Sequence, residues 1–224
     1  MRALSKDLTK QKSAEVIPVE REKMTFEDKI SPSHTALLVI DVQCDYFCKG
    51  GIIDLMGYDY QANEVILPRL KEFISRGRRY LKKIIFTKQT MVPYLKSSVV
   101  VEHYSRVRMI RPFNPRNEDF FQVIPEPEDI ILPKHRYSAF IGTPLDGILR
   151  ANEIRTLILT GVATNVCVES TARDGFMMDY HIVVPSDLTA GVSDEAKKMS
   201  LYNIGTFFGE VVESGRILQT WESD

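Results

Sequence analysis

The sequence predicts an α/β fold of three layers, α/β/α, in which a mostly parallel, doubly wound sheet lies between helices. Three observations carry that prediction. Short runs of Leu, Ile and Val recur along the 224 residues without the alternating polar face of a half-exposed strand, so they read as strands buried on both sides. The segments between them place apolar residues at three- and four-residue steps, the spacing of helices with one buried face. The two patterns alternate along the chain, and strand, helix, strand in succession is the order of a parallel sheet covered on both faces.

The first strand is TALLVID (35–41). In ANEVILPRLKEFISRG, which follows, Val65, Leu67, Leu70, Phe73 and Ile74 recur at helical steps and Gly77 stands where a C-terminal cap belongs. KKIIFTK (82–88) is the second strand. The stretch 89–128 is the least regular, with Pro93, Pro112, Pro115, Pro125 and Pro127 spread through it; so long a connection reads as a functional or interface-forming excursion. DIILP (129–133) is the third strand, and Thr143 before Pro144 reads as the N-cap and first position of the helix TPLDGILRANE. TLILTG (156–161) leads into the helical segment NVCVESTARDGFMMD, and HIVVPSD (181–187) leads into SDEAKKMSLYNIGTFFG. The tail NIGTFFGEVV reads either as an oligomer interface or as the last helix and an edge strand. Residues 1–30 are polar and read as an N-terminal extension, which leaves 31–224 as a single domain without repeat or linker.

Composition narrows the function. With 44% hydrophobic residues, 26% charged residues and a formal net charge of −1, the chain suits one globular domain with a sizeable core and argues against a nucleic-acid binder. The basic stretches KEFISRGRRYLKK and HYSRVRMIRPFNPR read as solvated helix faces, although Arg106, Arg108 and Arg111 could draw an anionic substrate. No apolar run approaches the roughly 20 residues that span a bilayer, and the N-terminus lacks the apolar segment of a signal peptide, so a cytoplasmic protein without membrane partners is expected. Cys44, Cys48 and Cys167 are an odd number at uneven spacing, which argues against a disulfide framework. Cys44 and Cys48 lack partners at metal-ligand spacing and read as packing residues.

Ligands of a doubly wound sheet bind beyond the carboxyl ends of its strands. Asp41 closes the first strand, Lys134 follows the third, and Cys167 lies in the turn after the fourth, near the start of a helix. Each has an ordinary reading as a helix cap, a solvated lysine or an inert buried thiol. Together they form a working set. A cation and a helix N-terminus lower the pKa of a thiol, and a carboxylate accepts its proton and later activates water.

The stretches ALLVIDVQCDY, LPKHRYSAF and TGVATNVCVESTARDGF, which contain these three residues, resemble the isochorismatase-like cysteine hydrolases, and the resemblance runs from about residue 34 to 213. It implies a six-stranded sheet, an Asp41, Lys134, Cys167 triad, and a cis peptide between Val162 and Ala163 that turns backbone N–H groups inward. On this reading Cys167 attacks a carbonyl carbon, the N–H groups of Ala163 and Cys167 hold the oxyanion, Asp41 moves protons, and Lys134 stabilises the anions. Nicotinamidases of the family carry a metal site after the second strand. Here FTKQTMVPYLKSS has no histidine and His34, His103, His135 and His181 stand isolated, so neither metal nor other cofactor is expected.

KGGIIDLMGYD, RYSAFIGTPLDGILR and NIGTFFGEV look most like the ureidoacrylate and biuret-hydrolysing amidases of the family. The implied partner is a small ureido or carbamoyl substrate; N-carbamoylsarcosine or nicotinamide-type amides, or non-catalytic binding of a small acid, are the alternatives. The implied pocket is lined by Tyr46, Gln89 and Tyr137, with Asn203 on the last helix as a further candidate. Arg106, Arg108 or Arg136 could hold a substrate carboxylate. The family's habit implies a homo-oligomer, a dimer or tetramer.

Overall fold

The computed structural model describes residues 24–95, 97–107 and 114–223. Most of the expected N-terminal extension, residues 1–23, and the candidate cations Arg108 and Arg111 lie outside the described residues. The strands are β1 (Thr35–Ile40), β2 (Lys83–Gln89), β3 (Ile130–Lys134), β4 (Thr156–Val162), β5 (His181–Pro185), β6 (Thr189–Ala190) and β7 (Glu210–Val212). The α-helices are α1 (Phe26–Lys29), α2 (Cys44–Phe47), α3 (Ile52–Leu55), α4 (Leu67–Gly77), α5 (Ser98–Arg106), α6 (Leu145–Ala151), α7 (Glu169–Met177), α8 (Asp194–Phe207) and α9 (Ser214–Ser223).

Six strands run in the order β3-β2-β1-β4-β5-β7, and the two-residue β6 pairs with β4 off this path, so the expected six-stranded sheet carries one short addition. The strand pairings are parallel throughout. From β1 the chain winds outward through β2 to β3, and from β4 it winds the other way through β5. The reversal between β1 and β4 opens a crevice at their carboxyl ends, the usual ligand position of such sheets.

Every residue of β1 and β4 is buried, as strands covered on both faces must be. On one face Leu37, Val39 and Phe86 pack with Leu70 and Phe73 of α4 and Ile217 and Trp221 of α9. On the other, Leu38, Ile40 and Ile85 pack with Leu145 and Leu149 of α6, Ala172 of α7 and Ile204 of α8. Neighbouring strand residues thus feed opposite layers, and each large side chain removed from water contributes about 1.5–3 kcal/mol.

Several local expectations shift. The end of the expected extension is part of the domain body: Phe26 and Ile30 are buried, and Trp221 Nε1 donates to the Ile30 carbonyl at 2.8 Å. Gly77 does not cap α4 in the left-handed region; it is the last helical residue, and a Cβ there would stand 3.1 Å from the Trp221 ring, so its smallness serves packing. Val65 is exposed on the turn before α4. Helix α6 begins at Leu145 with Pro144 as its N-cap, one residue later than expected, while Thr143 Oγ1 accepts from the Leu145 N–H at 3.2 Å. The tail supplies edge strand β7, but α9 follows it, so Asn203 lies on the penultimate helix α8. The irregular stretch 89–128 contains α5 and is stitched to the carboxyl end of β1: Cys44 N donates to the Asp119 carbonyl and Phe121 N to the Val42 carbonyl, both at 2.9 Å.

Candidate active site

The crevice is built by three chain exits from the sheet. Asp41 leaves β1 with φ at +52°, which turns its carboxylate away from the strand direction and into the protein, where the residue is fully buried. Thr87, on the neighbouring β2, clasps it: the hydroxyl accepts from Asp41 N at 3.1 Å and donates to Oδ1 at 2.6 Å. A charge buried this deeply needs a partner. Lys134, the last residue of β3 and also fully buried, supplies it with an ion pair of 2.8 Å from Nζ to Asp41 Oδ2.

The Lys134 ammonium has further neighbours. It donates to Gln89 Oε1 at 2.8 Å, to the carbonyls of Arg136 and Tyr137 at 2.9 and 3.2 Å, and lies 3.6 Å from Cys167 Sγ. Burial pulls its pKa down, but the charges of Asp41 and the sulfur outweigh burial and hold it above the ordinary lysine range.

Cys167 sits in a π-helical turn, Thr164–Val168, between β4 and α7, and is 3% exposed. Such single turns concentrate at functional sites. The Val162–Ala163 peptide is cis, and the Ala163 carbonyl accepts from Val166 N at 3.0 Å and Val168 N at 3.2 Å, closing the turn on itself. Gly161 before it has φ at +97°, and a Cβ there would fall 2.0 Å from the Ile40 carbonyl oxygen, so the exit from β4 admits glycine alone.

The electrostatics correct one expectation. The sequence suggests a thiol with a lowered pKa; in the structure burial and the Asp41 carboxylate raise it, and Lys134 offsets only part of that rise. The resting group is therefore a neutral thiol facing a carboxylate and an ammonium, and a thiolate arises only when its proton is taken up.

Of the other residues singled out, Gln89 points its amide oxygen at Lys134, and Tyr137, 42% exposed, stands at the rim. The Tyr46 phenol is held well above its usual pKa by burial and by the charges of Asp41 and Cys167, which puts it beside the cluster. Asn203 Nδ2 donates to Oε1 of Glu169, the first residue of α7, at 3.3 Å. Arg106 is exposed on α5, against His103. Cys44 and Cys48 are free thiols one helical turn apart, and Cys48 is pushed up to about 12 by burial and by its neighbour. Among the described residues no three His, Cys, Asp or Glu side chains converge as metal ligands. A cavity lined by Met24, Asp28, His34 and Arg155 opens at the amino ends of the strands and holds none of the residues singled out for the active site.

Three participants escape the sequence reading. Gln43 is fully buried and fastens the site floor: its Nε2 donates to the carbonyls of Gln89 (3.1 Å) and Glu118 (3.0 Å), and its Oε1 accepts from Gln89 N at 2.7 Å. It stands two residues from Asp41, so its position was a signal. Thr87 is the polar member of an otherwise apolar strand core, a second signal. Tyr104 reaches the rim from α5 and hydrogen-bonds Tyr137; no pattern in that irregular stretch announced it.

Residues 35–215 match the family model described as Isochorismatase domain. The chain is 38% identical over 212 residues to the ureidoacrylate amidohydrolase RutB of Enterobacter sp. (strain 638), covering 87% of this chain and 90% of that protein. It is 36% identical to the protein of the same name from Serratia proteamaculans (strain 568), covering 87% and 84%. Among solved structures, a cysteine hydrolase from Pseudomonas syringae pv. phaseolicola 1448A superimposes with a TM-score of 0.76 at 26% identity, covering 87% of this chain and 95% of that one.

Proposed function

The chain belongs to the isochorismatase family, and from that premise we propose that it is a cysteine-dependent amidohydrolase of small ureido or carbamoyl compounds, with ureidoacrylate-like acids as the first substrates to test. The observation that carries the reading is the meeting of Asp41, Lys134 and Cys167, from the ends of three strands, within 2.8 and 3.6 Å in one buried cluster. A structural role gives no reason to bury an acid, an ammonium and a thiol together, because each loses solvation and a well-packed apolar trio stabilises at least as well.

In the proposed reaction a carbamoyl group, RNH–CO–NH₂, enters the crevice with its carbonyl carbon against Cys167 Sγ. The thiol proton passes to Asp41 as the S–C bond forms. Lys134, 3.6 Å from the sulfur, balances the negative charge that the attack creates. The N–H groups of Ala163 and Cys167 receive the oxyanion, an arrangement in which loss of one donor costs roughly 10²- to 10³-fold in rate. The C–N bond then breaks, the leaving nitrogen takes the proton back from Asp41, and a thioester-type acyl-enzyme remains. Asp41 removes a proton from water, which attacks the acyl carbon and restores the thiol, with release of ammonia or carbamate. Tyr46, Gln89 and Tyr137 line the approach, Gln89 also fixing Lys134.

Exposed apolar side chains on α7 and α8, Met177, Met199, Tyr202 and Phe207, support assembly into a homo-oligomer. The test of the activity is ammonia release from ureidoacrylate, biuret, N-carbamoylsarcosine and nicotinamide, with Cys167→Ala beside the native protein. Release from a carbamoyl compound that the variant loses supports the reading; release that the variant keeps refutes it.

A further inference from the structure

The rim of the crevice carries groups that the chemistry above does not use. In α5 only Val100 and Tyr104, four residues apart, turn away from full exposure. The Tyr104 hydroxyl donates to the Tyr137 hydroxyl at 3.2 Å, so the pair retains one phenolic hydrogen with no acceptor among the described residues. Beside it stands Arg136. Its Nη1 donates to the His135 carbonyl at 2.8 Å, and Nη1 and Nη2 both reach the Leu95 carbonyl at 3.4 Å, just before α5. Unlike Arg78 and Arg173, which face carboxylates, Arg136 has no carboxylate partner among the described residues. Its cation is felt at the Tyr104 phenol, where it offsets part of the upward push from burial.

The inner cluster cannot serve a substrate anion. Lys134 is already engaged by Asp41, Gln89 and two carbonyls, and its charge is matched by the Asp41 carboxylate. An anionic substrate therefore needs a second cation farther out. The carbonyls of Arg136 and Tyr137 both touch the Lys134 ammonium, and Tyr137 meets Tyr104, whose phenol feels the charge of Cys167 as well as that of Arg136, so these residues adjoin the reacting centre.

We infer that Arg136, Tyr104 and Tyr137 form the end of the site that takes the carboxylate of a ureidoacrylate-like substrate, remote from the scissile bond. The inference rests on the reading of Cys167 as the nucleophile. A guanidinium pairs with a planar carboxylate, and the phenolic hydrogen left over from the Tyr104–Tyr137 pair adds one further donor. A neutral diamide of similar size gains nothing from the cation.

The test uses Tyr104→Phe and Arg136→Gln in the full chain and reads two ratios. The first is kcat/KM for ureidoacrylate over kcat/KM for biuret. The second is the rate at which N-iodoacetylglycine, whose carboxylate lies several atoms from the alkylating carbon, labels Cys167 over the rate for its neutral amide, followed on the peptide that contains it; this ratio needs no turnover. Each substitution removes a charge-assisted contact, so both ratios fall about tenfold. Ratios within about twofold of the native protein in both variants overturn the assignment. If the labelling ratio falls while no carbamoyl compound is hydrolysed, the anion end stands and the proposed reaction fails. If hydrolysis proceeds and neither ratio moves, the reaction stands and the anion end fails.

Discussion

Replacing Asp41 by Asn separates two roles that one carboxylate combines. As a proton acceptor Asp41 is needed for turnover; as a fixed negative charge it keeps the resting thiol protonated, together with burial. The variant keeps the shape and removes the charge. Lys134 then faces the sulfur at 3.6 Å without Asp41 at 2.8 Å to cancel it. At an effective dielectric of about 20 a unit pair at that distance attracts by about 4 to 5 kcal/mol. Each ~1.4 kcal/mol is a factor of ten in thiolate population, so the population rises by up to roughly a thousandfold. A less basic thiolate is a weaker nucleophile, and a Brønsted slope of about 0.5 takes back half of that gain on a logarithmic scale. Alkylation of Cys167 by iodoacetamide at pH 7 should therefore quicken about 30-fold, while amide hydrolysis falls by about 10²- to 10⁴-fold, the usual worth of a general acid–base group. The assay is peptide mass spectrometry, which resolves Cys167 from Cys44 and Cys48, run beside ammonia release. Labelling that slows or does not change in Asp41→Asn would refute the electrostatic account of the resting thiol.

Other perturbations follow from single contacts. Thr87→Val leaves the buried Asp41 N–H and one carboxylate oxygen without their 3.1 and 2.6 Å partners; stability falls by about 1–3 kcal/mol in urea unfolding, and kcat/KM falls about tenfold. Gln43→Leu strands Gln89 N and the carbonyls of Gln89 and Glu118, and lowers the unfolding free energy by about 3 kcal/mol. Because Gln89 then loses its anchor beside Lys134, kcat should drop more than KM changes. Gly161→Ala forces a Cβ to within 2.0 Å of the Ile40 carbonyl at a φ of +97°; a cost above about 4 kcal/mol predicts no cooperative thermal transition by circular dichroism.

The layers were legible in the sequence because burial on both faces leaves a coarse mark: TLILTG contains no charged residue, and the structure buries all of β4. The strand-end rule was enough to single out Asp41, Lys134 and Cys167. Their mutual charge state was not legible. Whether a lysine raises or lowers the reactivity of a thiol depends on what else is within a few ångströms, and the neighbour that decides it, Asp41, is more than a hundred residues away. Tyr104 was illegible for a different reason. Helix α5 buries little, so its sequence lacks a strong apolar stripe, and the one tyrosine that faces the crevice is indistinguishable from an exposed one. Gly77 shows the reverse error: a glycine at a helix end suggested a left-handed cap, while the deciding contact was the indole of Trp221, from the opposite end of the chain.

The central claim is that the amide is cleaved through a covalent bond to Cys167, and the most direct measurement is rapid acid quench of the protein with excess substrate during turnover, followed by mass spectrometry of the Cys167 peptide. The account predicts an acyl fragment of the substrate on that peptide within the first turnover, absent from Cys167→Ser carried through the same quench. Steady ammonia release from the native protein with no modified Cys167 at any quench time, and turnover retained in Cys167→Ala, would contradict it.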